Sequence, residues 1–195
     1  MTGNRSTASL KKKTNILIAT GMHSAKYGGL EKFLVLVSRE LQKYNVRLIL
    51  LYNSLPRSTR FVDDIENTGS IIMVAHAMKP IRYFLSFLRI FILYKPRIVH
   101  ASFQIYYSII FAKLLFCRNN FVSLNGMLSD QNINEVTERK HLPELTIKFR
   151  MIINRLTNQF FAISDAVKEQ YIRLFPDTAP KIKTEYIGSL PNYNK

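Results

Sequence analysis

The amino-acid sequence predicts an α/β fold of the Rossmann-like, doubly wound kind, with a parallel sheet of about seven strands and helices on both faces. Short apolar runs alternate with stretches of helical periodicity along most of the chain, and the connections between them are short. The apolar runs are continuous, as expected for strands that are covered on both faces. With 195 residues, 47% of them hydrophobic and 21% charged, the chain suits one globular domain.

The predicted elements follow one another in a regular order. Strands are predicted at 16–19, 46–51, 70–74, 97–101, 121–124, 159–163 and 182–187. Helices are predicted at 30–43, 80–94, 104–116, 132–158 (broken near Pro143) and 165–174, and residues 55–68 are predicted to be a loop or a short irregular helix. Pro80 suits the first position of a helix, and Lys95-Pro96 stops it. Ser164 is predicted to cap the helix that follows it.

The stretch from residue 15 to residue 43 carries the strongest local signal. A buried strand leads into a small, polar loop that ends in Gly28-Gly29, and an amphipathic helix follows, whose apolar face is formed by Leu30, Phe33, Leu34, Val37 and Leu41. The free N–H groups and positive dipole end of this helix point above the carboxyl edge of the sheet. Two glycines allow a ligand to approach the backbone, and phosphate is the favoured ligand. A simple strand-to-helix turn is the alternative, and Glu31 is favourable in the first helical turn in either case.

The net charge of +15 predicts an anionic partner, because the chain has 28 Lys and Arg but only 13 Asp and Glu. The candidates are nucleic acid, anionic lipid and a phosphorylated substrate. Nucleic acid is disfavoured, since the chain has no zinc-finger spacing, no aromatic RNA-binding motif and no convincing helix-turn-helix. An anionic membrane surface is better supported. Residues 80–94 are apolar nearly all round, with Arg82 and Arg89 at one side, and residues 141–158 combine basic and apolar side chains. Packing against the sheet, or against a second domain, is the alternative for either helix.

The sequence shows no recognisable targeting signal and contains a single cysteine. There is no run of 18 or more uncharged apolar residues and no signal peptide, and residues 1–14 are predicted to be a disordered basic leader. The single cysteine, Cys117, excludes an internal disulfide and a cysteine-based metal site, and we interpret it as a core or near-surface thiol. No metal or other cofactor is expected. The expected location is cytoplasmic, with peripheral contact at the inner face of the cell membrane.

Five segments stand in a fixed order along the chain: YGGLEKFLVLVSRELQK, KPRIVHASFQIYYSIIFAKLLF, NNFVSLNGM, NQFFAISDAVKEQYIRLF and KIKTEYIGSLPNYN. In turn they resemble the glycine loop and first helix, the Pro-x-Val-His-x-His strand, the strand ending in His-Gly, the strand ending in Val-Ser and the final strand of the retaining GT-B glycosyltransferases of family 4. The resemblance covers the N-terminal, acceptor-side half of that family. It places the domain at residues 15–190 and the start of an interdomain linker at 191–195.

The resemblance implies transfer of a sugar from a nucleotide-sugar to a polysaccharide or lipid-linked acceptor without a metal. Asn125 stands where the family has its histidine and is the candidate catalytic residue, with an amide in place of an imidazole. The residues expected at the donor diphosphate or the acceptor are Gly28, Gly29, Lys26, His100, Ser102 and Gly126. Residue by residue, the alternatives are a solvated loop lysine at 26, a structural histidine at 100 and a turn asparagine at 125.

The family's donor-binding motif has no counterpart in this sequence. The chain is therefore expected to be the acceptor-side half of an enzyme that works with a partner chain carrying the donor domain, or a truncated remnant of such an enzyme. The alternative is a catalytically silent Rossmann-like subunit that binds a partner glycosyltransferase and the membrane surface.

Overall fold

The computed structural model describes residues 13–20, 24, 26–76, 79–102, 107–124 and 144–185. Within these ranges the strands are β1 (Thr14–Thr20), β2 (Val46–Tyr52), β3 (Ile71–Val74), β4 (Ile98–Ser102), β5 (Asn119–Leu124), β6 (Gln159–Ala162) and β7 (Ile182–Thr184). The α-helices are α1 (Gly29–Lys43), α2 (Thr59–Glu66), α3 (Pro80–Tyr94), α4 (Tyr107–Leu114), α5 (Glu144–Leu156) and α6 (Asp165–Leu174). A 3₁₀-helix, Pro176–Lys181, precedes β7.

The strands form one sheet in the order β3-β2-β1-β4-β5-β6-β7, and every neighbouring pair is parallel. The chain builds outward from β1 to β3 and then returns to place β4 on the other side of β1. Ile16 of β1 faces Ile98 of β4, and Thr20 faces Ser102. This reversal confirms the predicted doubly wound fold, and ligands of such folds bind beyond the carboxyl ends of the strands at the reversal.

Helices cover both faces of the sheet, and β1 shows why its sequence is apolar throughout. Ile16 and Ile18 point to the cluster formed with α1 and α2, whereas Leu17 and Ala19 point to the cluster formed with α3 and α4. Because successive side chains of a strand alternate between faces, both sets must be apolar. A third cluster packs Val167 of α6 against β5, β6 and β7.

Most predicted elements are found within a residue or two of their predicted bounds, with differences at 55–68 and 104–116. Residues 59–66 form a regular α-helix, because Ser58 caps it by accepting the N–H of Phe61 at 3.3 Å and because Phe61 and Ile65 bury its inner face. The helix predicted to end at residue 116 ends at Leu114, and Phe116 adopts a positive φ of 61°. The predicted cap at Ser164 is confirmed by its bond from the N–H of Val167.

Some predictions fall on parts of the chain outside the described residues. These are the leader through residue 12, the start of the helix predicted at 104–116, the helical prediction for 132–143, residues 186–187 of the strand predicted at 182–187 and the linker at 191–195. That strand ends at Thr184, before Glu185, and is therefore shorter than predicted. None of the helices in the described ranges is long and apolar enough to cross a bilayer.

Candidate functional site

The carboxyl ends of β1 and β4 meet at the centre of the sheet edge. Thr20 ends β1 and Ser102 ends β4, both are buried, and they face each other in the register of the two strands. The hydroxyl of Thr20 donates to the carbonyl of Leu51 at 3.2 Å and so ties this corner to β2. The loop that leads to α1 begins here, so the predicted glycine loop lies beside the crossover point.

A buried carboxylate fixes the glycine loop to the first turn of α1. Glu31 is only 4% exposed, and its two oxygens accept the N–H of Gly28 at 3.0 Å and the hydroxyl of Ser24 at 2.8 Å. The carbonyl of Gly28 in turn accepts the N–H of Lys32 at 3.1 Å. Because Gly28 has no side chain that could accept an N–H, the Glu31 carboxylate alone links the N-cap position to the first turn and fixes how the chain enters the helix.

The two glycines have different surroundings. A Cβ at Gly28 would stand 3.2 Å from the Glu31 carboxylate. A side chain at Gly28 would therefore press on this carboxylate. At Gly29, apart from its chain neighbours and the backbone of α1 itself, no atom of the described residues lies within 4 Å of a Cβ position. Gly29 faces open space at the N-terminus of α1, where backbone N–H groups lack intrahelical acceptors. A ligand would reach the backbone at Gly29.

Lys26 lies at the same loop and its side chain is exposed. Its carbonyl accepts the N–H of Gly28 at 3.1 Å, so its backbone belongs to the glycine loop. The structure therefore places Lys26 beside the helix N-terminus, where a lysine can pair with a phosphate.

His100 sits within the sheet and is held by its neighbours. Its Nε2 lies 2.7 Å from the hydroxyl of Ser123 in a hydrogen bond, and the ring of Phe161 meets its ring edge-on at 6.2 Å. Burial lowers the pKa of His100 to about 4, so the imidazole is neutral at neutral pH. This geometry fits the structural alternative for His100, because one ring nitrogen is already occupied.

The remaining predicted site residues are Ser102, Asn125 and Gly126. Ser102 ends β4 and is buried opposite Thr20. It therefore lies at the carboxyl edge of the sheet, beside β1, the strand that leads into the glycine loop. Asn125 and Gly126 lie outside the described residues, and their predicted roles stay predictions.

Two features of the site were missed in the sequence. Sequence analysis placed Glu31 in the first turn but not at the centre of a hydrogen-bonded loop, although its position three residues after Gly28 is the spacing of a capping box. The bond between His100 and Ser123 joins residues 23 positions apart and depends on the register of β4 and β5. No local sequence pattern indicates such a contact.

No group of three or more His, Cys, Asp or Glu side chains in the described part of the chain is arranged to hold a metal ion. Cys117 is buried, with its Sγ 3.5 Å from the carbonyl oxygen of Arg97, and burial raises the pKa of its thiol. It is therefore a core thiol and not an activated nucleophile, in agreement with its predicted place.

No protein-family model matches the sequence, and no curated protein matches it significantly. Solved structures do match. Anabaena Alr3699/HepE, determined in complex with UDP and glucose, aligns with a TM-score of 0.54 and 13% identity over 89% of this chain and 44% of its own. Sucrose-phosphate synthase from Thermosynechococcus elongatus aligns with a TM-score of 0.59 and 11% identity over 91% of this chain and 49% of its own.

At these identities the likeness shows the fold alone. The chain spans slightly less than half the length of either structure. Its seven-stranded parallel sheet, with helices on both faces, is accordingly the half-domain architecture of the GT-B glycosyltransferase fold.

Proposed function

We propose that this chain is the acceptor-side half of a retaining GT-B glycosyltransferase of family 4. Together with a donor domain on a partner chain, it would transfer a sugar from a nucleotide-sugar to a polysaccharide or lipid-linked acceptor. The observation that carries the proposal is the open backbone at Gly29, at the N-terminus of α1 and beside the crossover of β1 and β4. The UDP and glucose in the HepE structure support a nucleotide-sugar as the ligand.

The proposed chemistry is electrostatic. A nucleoside diphosphate leaving group gains negative charge as the sugar departs, and a helix N-terminus with a nearby lysine stabilises that charge without a metal. We assign this role to Gly29, at the N-terminus of α1, and to Lys26, which precedes it in the loop. His100 is assigned no proton transfer, because its pKa is lowered to about 4 and Ser123 holds its Nε2.

Binding of UDP tests the glycine loop directly. We expect Gly29→Val to weaken UDP binding at least about tenfold in isothermal titration, because the branched side chain fills the space through which phosphate reaches the backbone. Thr59→Val is the matched control, since it puts the same side chain at the first position of α2. Equal UDP affinity in wild type and Gly29→Val, with circular dichroism unchanged, would refute the proposed site.

The competing proposal is a catalytically silent subunit that binds a partner glycosyltransferase. A mixing experiment separates the two. The chain is combined with the product of a neighbouring reading frame that carries the donor motif of the family, and hydrolysis of the donor sugar is measured. Activity that depends on both chains and falls with Gly29→Val supports the enzyme. No activity in a stable complex of the two chains supports the silent subunit.

Helix α3 supports a further part of the proposal, peripheral contact with an anionic membrane. Its inner face is fully buried, through Tyr83, Phe87 and Ile90. Its outer face exposes large apolar side chains, including Ile81 at 76% and Leu85 at 57% exposure. Such an apolar stripe on an outward helix face is typical of helices that lie in the membrane interface.

The charge around α3 is of one sign. Between Glu66 and Asp130 the sequence contains no acidic residue, whereas the Lys and Arg of this stretch are Lys79, Arg82, Arg89, Lys95, Arg97, Lys113 and Arg118. Phe116, 91% exposed, adds an apolar side chain after α4. Anionic headgroups would attract such cations by about 1 kcal/mol for each one near the surface. These observations favour the membrane interpretation of residues 80–94 over complete burial.

Co-sedimentation with vesicles tests this contact. We expect binding to vesicles of phosphatidylglycerol and phosphatidylcholine but not to phosphatidylcholine alone, and we expect Leu85→Asp to weaken binding, since it puts a negative charge on the apolar outer face of α3. Ala166→Asp, an exposed position on α6, makes the same net charge change without altering that face. Equal and weak binding to both vesicle types would refute membrane contact.

A further inference from the structure

A groove of about 620 Å³ lies between α1 and α2, and Gly29 does not line it. One wall is formed by Tyr27 and by Lys32 and Arg39 of α1, and the other by Arg60 and Asp64 of α2. The apolar side chains of Val35 and Leu36 complete the wall of α1. This size is that of small-molecule sites, which are commonly apolar clefts with a few placed polar groups.

The groove has an excess of positive charge. Three cations line it, namely Lys32, Arg39 and Arg60, against the single carboxylate of Asp64. That carboxylate accepts the hydroxyl of Tyr27 at 2.6 Å. The guanidinium nitrogens of Arg39 and Arg60 lie 3.9 and 4.0 Å from Asp64, too far for hydrogen bonds. Both arginines are thus paired with Asp64 by charge alone, and their side chains, 57% and 82% exposed, keep N–H donors accessible to a ligand.

The groove also adjoins the glycine loop. Tyr27 immediately precedes Gly28, and the guanidinium of Arg60 lies over the Tyr27 ring at 5.5 Å from its centre. Tyr27 packs on Phe61 as well, with ring centres 6.0 Å apart. The ring of Tyr27 thus separates the groove from the glycine loop, and the guanidinium of Arg60 lies over this ring.

We infer that this groove binds the phosphate group of a small phosphomonoester, at a site separate from Gly29. Guanidinium groups present paired N–H donors that match phosphate oxygens, and Lys32 adds a third positive charge. Leu36, which is 38% exposed, offers apolar surface to the carbon part of the ligand. The inference goes beyond the proposed transferase and does not depend on it, because none of its residues is assigned to the donor.

Titration with glucose 6-phosphate, at fixed salt and with glucose as the uncharged comparison, tests the groove. Arg39→Gln and Arg60→Gln should each weaken binding about fivefold. Arg173→Gln, an exposed arginine on α6, should leave binding unchanged. Asp64→Asn should tighten binding by a similar factor, because it removes the repelling charge while its amide oxygen can still accept the Tyr27 hydroxyl. An improvement of this kind does not arise from a merely structural role.

The source of the phosphate is tested with monomeric dihexanoyl phosphatidic acid. Groove-dependent binding of the sugar phosphate alone indicates a soluble ligand, and groove-dependent binding of the lipid alone indicates a headgroup. The inference is overturned if neither binds, or if Arg173→Gln weakens binding as much as Arg60→Gln does. It is also overturned if Gly29→Val abolishes binding of glucose 6-phosphate, because the anion then sits at the glycine loop. Loss of UDP binding alone in that variant concerns only the proposed function.

Discussion

At the scale of single residues, the shape of the glycine loop depends on the carboxylate of Glu31. The sequence identified this residue only as an acid that is favourable in the first turn of a helix. Glu31 is buried, yet both of its oxygens are used, one by the hydroxyl of Ser24 and one by the N–H of Gly28. A buried charge is tolerated when hydrogen bonds replace its lost water. Here those bonds also hold the loop in the shape that leaves Gly29 open.

Replacing Glu31 tests how much its carboxylate contributes to the free energy of unfolding. We expect Glu31→Ala to lower the free energy of unfolding by about 2 kcal/mol, because two charge-assisted hydrogen bonds are lost and the buried hydroxyl of Ser24 loses its acceptor. Glu40→Ala on the same helix removes only an exposed ion pair with Lys43 and should cost less than about 0.5 kcal/mol. Urea unfolding measures both values. Equal losses would show that Glu31 does not hold the loop.

His100 gives a prediction on pH. Burial lowers its pKa to about 4, whereas an unfolded histidine titrates near 6.5. Between these values the unfolded chain binds more protons, so the free energy of unfolding falls as the pH drops from about 6.5 to about 4, by up to about 3 kcal/mol. Above pH 6.5 this residue adds no pH dependence.

The variant His100→Gln isolates this effect. Glutamine can still bond to Ser123 but does not titrate, so its free energy of unfolding should fall less than that of wild type between pH 7 and pH 4.5. Urea unfolding at the two pH values measures the difference. Parallel losses in the two proteins would mean that His100 protonates freely in the folded state.

At the scale of elements, α3 is an apolar helix whose inner face packs in the core and whose outer face is exposed. Its bounds were predicted correctly because Pro80 starts it and Lys95-Pro96 ends it. Its faces were not predicted, since a helix that is apolar nearly all round gives no periodic signal for the side that packs. Packing on β1 and β2 through Tyr83, Phe87 and Ile90 decides this.

Two substitutions two residues apart separate the faces of α3. Phe87→Ala should lower the free energy of unfolding by about 3–5 kcal/mol, because it empties a fully buried aromatic position. Leu85→Ala should change it by less than about 0.5 kcal/mol, since that side chain is mostly exposed. Thermal or urea unfolding checks both. A large loss for Leu85→Ala would mean that the outer face is packed, and the membrane proposal would lose its support.

At the scale of the whole molecule, the order of the strands sets which parts open first. β1 lies between β2 and β4 and is covered on both faces, whereas β3 and β7 are short strands at the two edges. We expect the amides of β1 and β4 to exchange hydrogen only through global unfolding and those of β7 to exchange faster. Exchange followed by mass spectrometry or NMR checks this, and equal protection of β7 and β1 would contradict it.

The architecture of the whole molecule also explains which elements could be predicted from the sequence and which could not. The alternation of continuous apolar runs with helical stretches determined the fold class, because a strand covered on both faces must be apolar throughout. Pro80 determined where α3 begins and the capping Ser164 determined where α6 begins, since these signals act locally. The short α2 was obscured because its exposed face is charged and its buried face has only Phe61 and Ile65.

The sequence by itself determined the elements, the glycine loop and the basic character of the chain, all of which arise from neighbouring residues or from composition. Only the tertiary structure decided that His100 is bonded to Ser123 and that Arg39 and Arg60 share one groove. Each of these depends on which elements lie side by side. That choice follows from the pairing of β4 with β5 and from the packing of α1 against α2, which bring together residues far apart in the chain.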